Sequence, residues 1–351
     1  MTTESINVTA RSNASQRIIA AGMVVAFFYW ASSVVMTLLL SVLLAYFLEP
    51  FVEGLERFRV PRALGALLVV LLAIAIVIGL MYLLFDRAEH FASDWPKYSS
   101  VLKQGALEID RRLEKLETRF SELAPRGRTR TVLVSEPSSL RSLLVRGIGS
   151  LYSILLTVTF VPFLVFFMLA AKRDIWHATL RLFAVEERTR VKQALEQLTT
   201  LLRSYLVGNV LVAGILVLVS WIFFWIIGLD YPFLSAVVSG SLNMVPYLGA
   251  VAAWVPPIVV GLPKWRTSVL PYLGVAALLS AFHILAVNVL MPALVGRRVH
   301  LNALAVTIAL LFWGWLWGAI GLILAIPITA ALKVCCDNVE SLRPVGRWLS
   351  A

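Results

Sequence analysis

The chain has 351 residues, of which 60% are hydrophobic and only 15% charged, and its mean hydropathy is +0.85. Soluble domains carry about 25% charged residues, so this composition excludes an ordinary water-soluble fold. A net charge of +11 could point to nucleic acid. The basic residues, however, sit in the segments that join apolar runs, where they orient a membrane protein and meet anionic headgroups, so membrane lipids are the expected partner and no nucleic acid is.

Seven stretches contain no Lys, Arg, Asp or Glu: 18–48, 63–85, 147–171, 204–229, 231–263, 267–296 and 299–332. A helix rises about 1.5 Å per residue and needs ~20 apolar residues to cross a ~30 Å hydrocarbon core, so each stretch is long enough to reach across a bilayer. The expected fold class is an all-α polytopic membrane protein of about eight membrane segments. The first stretch is too long for the apolar core of a cleavable signal, so the N-terminus is expected to stay attached.

In chain order, 1–85 reads as N-terminal membrane helices. Residues 18–48 would measure about 46 Å as one helix, and Ser32 and Ser33 near their middle suggest two short spans or a re-entrant pair, with one tilted helix as the other option. The connector from Glu49 to Arg62 holds Arg57, Arg59 and Arg62, which places it in the cytoplasm. Residues 86–146 then form an extracytoplasmic helical domain. Its apolar positions Leu102, Ala106, Ile109, Leu113, Leu116, Phe120 and Leu123 alternate steps of four and three, the seam of a helix that packs on another helix, either of this chain or of a second subunit. The second option makes the protein a homo-oligomer joined through 102–123.

A membrane helix over 147–171 leads to a cytoplasmic amphipathic linker helix over 172–203. There Val191, Leu195, Leu198, Leu202 and Leu206 lie at helical spacing beside Arg188, Arg190, Lys192 and Arg203, as on a helix lying along headgroups or simply joining two spans. The C-terminal membrane core over 204–332 is rich in helix breakers. Residues 231–263 include Pro232, Gly240, Pro246, Gly249, Pro256, Pro257, Gly261 and Pro263, and residues 299–332 include Gly314, Gly318, Gly321 and Pro327. Interrupted apolar segments mark transport sites because broken helices expose backbone dipoles at membrane depth. The same pattern also fits two re-entrant hairpins. Charge does not choose: if both segments span, Lys264 and Arg266 are inside and Arg297 and Arg298 outside, and if both are re-entrant the pairs exchange sides. The tail over 333–351, with the adjacent Cys335 and Cys336 read as structural, is cytoplasmic, and both termini are expected there.

The stretch Leu44-Ala-Tyr-Phe-Leu-Glu-Pro50-Phe-Val and Arg59-Val-Pro-Arg62, the run Asn243-Met-Val-Pro246-Tyr-Leu-Gly249 followed by Pro256, the run Asn288-Val-Leu-Met-Pro292-Ala-Leu-Val-Gly296, and the ending Gly318-Ala-Ile-Gly321-Leu-Ile-Leu-Ala-Ile-Pro327 together resemble the AI-2E family of bacterial transporters, in order and over nearly the whole chain. The chain departs from the family pattern at Ala286 and Val287, where an acidic residue and Gly are frequent, at Ala303 in place of Pro, and at Val207-Gly208-Asn209 in place of Arg-Gly-Gln. The resemblance implies a multi-pass protein of the bacterial inner membrane that exports or exchanges a small solute, with the autoinducer-2 furanone of quorum sensing as namesake substrate. For some relatives it implies sodium or lithium exchange for protons.

Polar and backbone-breaking residues inside apolar runs are the candidates for the pathway. Asn243, Tyr247 and Asn288 can hydrogen-bond a neutral polyol-like ligand, or tie helices together. Pro246, Gly249, Pro292 and Gly296 shape the backbone around them, and Pro256, Gly318, Gly321 and Pro327 are breaks able to gate. His283, Glu49 and Asp230 are the candidate proton carriers, with the loss of the intramembrane acid arguing for a neutral solute. Trp313, Trp315 and Trp317 read as interface or packing aromatics. No HExxH pair and no GxxxxGK[ST] loop occurs, so no metal, no cofactor and no enzymatic activity is expected, and transport is secondary or passive. Two other classes remain: a monovalent cation/proton antiporter, and a non-transporting assembly protein that recruits partners through its heptad seam.

Overall fold

A computed structural model describes residues 16, 19–20, 22–121, 158–245, 249–265, 268–294 and 301–350. Helices and turns account for the described residues, with no strand among them. Five helices are long and apolar enough to cross a membrane, namely Ser32–Arg57 (α1), Arg62–Gly105 within a helix that runs on to Ser121 (α2), Arg188–Ile226 (α5), Leu270–Leu294 (α8) and Ala303–Asn338 (α9). Shorter apolar helices are Val158–Ala170 (α3), Pro232–Leu242 (α6) and Gly249–Gly261 (α7). Lys172–Arg181 (α4) and Arg343–Ser350 (α10) are amphipathic by sequence.

The chain divides into two compact units. The first comprises Met1–Ile74, Leu151–Gly208 and Val295–Ala351. Its N-terminal part is a three-helix core in which Ala45, Leu48 and Val52 of α1 meet Ala66, Val69 and Val70 of α2 and Val161, Val165 and Leu169 of α3. Residues 22–30 are helical, and the backbone leaves helical geometry at Ala31 (φ −85°, ψ 14°) before α1 begins, so the interruption falls at the serines the sequence marked. Thr37 and Ser41 hydrogen-bond carbonyls one turn back at 2.7 Å, which satisfies them inside an apolar helix.

In the second unit, Ala75–Ser150 with Asn209–Leu294, Phe224, Leu229, Ala236, Val260, Val275 and Leu279 form the core. Helix α2 passes through the 85/86 junction without a break and measures about 90 Å over its 60 residues. Its first half is apolar yet mostly uncovered by protein, as expected of a face that meets lipid tails. Of the proposed seam, Leu102 is exposed, and the side chains of Ala106 and of Ile109 onward lie outside the described residues. The segment 172–203 holds two helices, because α4 ends at Arg181 and α5 starts at Arg188 and continues into its span.

The two breaker-rich segments are helical hairpins. In the second unit, α6 has 11 residues and α7 has 13, or about 16 and 20 Å, each short of a ~30 Å core. Ser239 Oγ on α6 donates to the Ala253 carbonyl on α7 at 2.8 Å although the two are 14 positions apart. The base is closed: Lys264 Nζ donates to the carbonyl of Ile227 at 3.1 Å and to that of Gly228. The tight turn between them uses positive φ at Gly228 (63°) and Tyr231 (50°).

In the first unit, α9 folds back at Gly318, whose φ of 61° and ψ of −138° belong to a region open essentially to glycine alone. Trp313 Nε1 donates to Thr329 Oγ1 at 3.2 Å across 16 positions, where a straight helix would hold them about 24 Å apart. Gly321 lies directly against the Trp313 carbonyl, a place with no room for a Cβ. Pro327 is buried within the return leg. Trp313 and Trp317 are core residues, whereas Trp315 is exposed and stacks on Tyr29. The start of this hairpin is tied to α10, since Asn302 donates through its backbone N–H to Leu349 O (2.9 Å) and through Nδ2 to Trp348 O (2.6 Å).

Candidate functional site

Asn243 is placed by the end of α6: it caps that helix at the tip of the hairpin, where the chain must turn before α7. Its amide reaches His283 on α8, with Oδ1 2.8 Å from Nδ1. In the orientation shown, Nδ1 carries the hydrogen and Asn243 accepts; with the amide turned over, Nδ2 donates to a bare Nδ1. The contact therefore survives either neutral tautomer. It joins the hairpin tip to a crossing helix and surrounds a small cavity of about 40 Å³, room for a water molecule or two. Asn209 of α5 and Gly240, Met244, Ala286 and Met291 also line it.

Asn209 was not among the sequence candidates for this site. It is 7% exposed, and its amide has no hydrogen-bond partner among the described residues. A polar residue inside the apolar run 204–229 was the available signal, the same one that marked Asn243 and Asn288. Gly240 lets α6 approach α5, since a Cβ there would meet Val217. At Gly249, a Cβ would lie 2.6 Å from the Leu242 carbonyl oxygen and 2.7 Å from Asn243 Cα, so the return leg can sit this close to the tip only as glycine. Among the described residues, no carboxylate or ammonium lines the cavity.

The other candidates are distributed. Asn288 is exposed and donates to its own helix, Nδ2 to Ile284 O at 2.8 Å, so it is not brought to Asn243. It lies in a widened π turn, Ala286–Leu290, and stands four residues before Pro292. Proline has no N–H for the carbonyl four residues back, and its ring crowds that carbonyl, which accounts for the widening there. The turn directs Ala286, Val287 and Met291 to the cavity. Pro256 starts the Val255–Gly261 part of α7. Pro246, Tyr247 and Gly296 lie outside the described residues.

Asp230 sits at the hairpin base in a recess of about 600 Å³ that it shares with Asp94, Lys97 and Tyr231. Lys97 is 3.8 Å from it, and Tyr231 donates to Asp94 at 2.6 Å. Burial and the Asp94 carboxylate push the Tyr231 hydroxyl up to about 12. Glu49, in the first unit, is buried and paired with Lys172, with Arg62 at 3.9 Å. No group of three or more His, Cys, Asp or Glu suited to a metal occurs among the described residues.

Comparison with known proteins adds to this geometry. The family described as AI-2E family transporter matches residues 18–341. The chain is 27% identical over 318 residues to YrrI, a candidate transport protein of Bacillus subtilis, covering 87% of this chain and 86% of that protein. It is 24% identical over 328 residues to the AI-2 transport protein TqsA of Escherichia coli K12, covering 92% and 90%, and 26% identical over 320 residues to PerM, a candidate permease of the same organism, covering 90% of each.

Proposed function

The chain belongs to the AI-2E transporter family, whose function is membrane transport, and on that premise we propose that it moves a small uncharged polar solute past the tip of the α6–α7 hairpin. The observation that carries the reading is the Asn243–His283 hydrogen bond. It closes a cavity whose polar groups are two amides and an imidazole. Such a set offers donors and acceptors to hydroxyl and carbonyl groups, while an ion stripped of water there would meet no opposite charge. A furanone-like solute fits that chemistry, and the name of TqsA points in the same direction.

In this reading the cavity is the closed form of the site. The base of the hairpin is pinned by Lys264 and the tip is held to α8 by the Asn243–His283 contact, so the tip is the part that moves. A tip bond of about 1 kcal/mol shifts an open/closed equilibrium about fivefold, enough to latch a gate without freezing it. Two closed hairpins return the chain to the side it left. With the basic connectors 57–62 and 172–203 inside by the Lys/Arg bias, α5 then crosses outward, Lys264 is outside, α8 crosses back and the C-terminus lies in the cytoplasm. We assign the protein to the bacterial inner membrane on the same grounds. A homo-oligomer joined along 102–123 belongs to this reading, supported by the unbroken α2 helix through Ser121.

The test is flux into proteoliposomes of the purified chain, with the autoinducer-2 furanone and with monovalent cations, each with and without a pH gradient. Furanone flux that falls in both Asn243→Ala and His283→Ala is the expected result. Cation-dependent proton movement that survives both substitutions, with no furanone flux in the unaltered protein, would refute it.

A further inference from the structure

The first unit contains a pocket that the transport reading does not use. It measures about 240 Å³ and lies between α1, the end of α3, α4 and α5. Its wall is almost wholly apolar, with Met168 and Leu195 among the lining residues and the aromatic side chains of Tyr46 and Trp176. One carboxylate reaches it, that of Glu49, whose side chain is 3% exposed. The partner of that carboxylate is the ammonium of Lys172, which also lines the pocket while its side chain remains 32% exposed.

We propose that this pocket is a binding site for a small apolar ammonium compound, and that Lys172 occupies it as an internal stand-in for the ligand's charged group. Three features converge. A buried carboxylate needs a cation, and an apolar amine supplies one together with a body that the wall can cover. Aromatic faces at Tyr46 and Trp176 suit an organic cation.

Third, Lys172 is a replaceable partner. Burial, with the charge of Arg203 behind it, pulls its ammonium below the ordinary lysine value, so holding it charged inside is costly, and its exposed flank gives it a short path to water. The exchange balances: one ammonium enters, one leaves for solvent, and Glu49 keeps its counter-ion with Arg62 still 3.9 Å away. The volume is below that of drug-sized pockets, which selects amines of about one ring or a short chain.

Thermal unfolding of the purified full chain in detergent, with benzylammonium as probe and benzyl alcohol as its uncharged counterpart, tests the site, and the readout is independent of transport. Benzylammonium is expected to raise the midpoint progressively with concentration and benzyl alcohol at equal concentration to leave it unchanged. Lys172→Gln, which removes the internal competitor, is expected to bind the amine about tenfold more tightly. Glu49→Gln alone would strand the Lys172 ammonium, whereas Arg62 keeps Glu56 at 2.9 Å, so the paired variant Glu49→Gln/Lys172→Gln is the cleaner loss, and it should show no preference for amine over alcohol. Equal shifts by amine and alcohol, or silence in both the unaltered protein and Lys172→Gln, would overturn the proposal. Silence in the unaltered protein with binding in Lys172→Gln would support it, as a site fully blocked by its own lysine.

Discussion

The hairpin tip can be tested by adding one methyl group. In Gly249→Ala the new Cβ would sit 2.6 Å from the Leu242 carbonyl oxygen and 2.7 and 2.9 Å from Asn243 Cα and C, about 0.8 Å inside the 3.4 Å at which ordinary contact begins. All three obstacles are backbone, so no side-chain rotation relieves the clash and the legs must separate. A shift of that size along the Asn243–His283 contact, now 2.8 Å, carries it past hydrogen-bond distance. Overpacking of this kind costs about 1–3 kcal/mol, and the lost tip bond adds up to about 1 kcal/mol. The control is Gly274→Ala on α8, where nothing lies within 4 Å of the added atom, so the change is neutral or mildly stabilising through helix propensity. Thermal unfolding in detergent and furanone flux in proteoliposomes read both variants. Gly249→Ala should lower the midpoint and cut flux at least about fivefold, while Gly274→Ala keeps both. A Gly249→Ala protein with an unchanged midpoint and unchanged flux would show that the tip is not packed as described and would remove the latch with it.

Asn243→Ala, His283→Ala and the double variant form a cycle in which the flux effects should be non-additive by about 0.6–1.7 kcal/mol, the range for hydrogen bonds between membrane helices; strict additivity would mean the two residues act separately. Gly318→Ala forces an L side chain into φ 61°, ψ −138° and should destabilise the α9 hairpin by about 1–3 kcal/mol in a denaturation series, against no comparable loss for the α8 control. Tyr231, pushed up to about 12, should titrate late in an ultraviolet tyrosinate assay. Because its folded value lies above the unfolded value near 10, its contribution to stability is complete below pH ~10 and fades as pH rises through about 12. Tyr231→Phe should remove one tyrosine from the late-titrating fraction and leave the neutral-pH profile unchanged.

The membrane class and the position of the breaks were legible because both are one-dimensional properties: charge-free length fixes a span, and Gly or Pro marks a place where helical hydrogen bonding stops. The break near Ser32, the Gly318 reversal and the turn after Leu242 all fall where the residues put them. What composition could not settle was whether a broken helix continues across or folds back, since Gly318 permits either. That depends on contacts such as Trp313–Thr329 and Ser239–Ala253, whose partners lie 14 to 16 positions apart. The site was half legible for a related reason. Polarity within an apolar run marks Asn209, Asn243 and Asn288 equally, and only the fold sorts them: Asn288 satisfies its amide on Ile284 one turn back, while Asn243 reaches a different helix and Asn209 faces the cavity.

The acidic candidates separate on similar grounds. A proton carrier must alternate between charged and neutral forms, and so must not be held in one of them by fixed partners. Glu49 has Lys172 and Arg62 beside it as fixed partners, which suits a binding or structural ion pair. Asp230 sits in the recess at the hairpin base with Lys97 for a neighbour, outside the helices that cross. His283 alone of the three touches the hairpin tip, and its contact with Asn243 persists in either neutral tautomer. Protonation of His283 would act on that contact directly: it makes both ring nitrogens donors, holds the Asn243 amide with Oδ1 toward the ring, and removes the alternative in which the amide turns its N–H groups the other way.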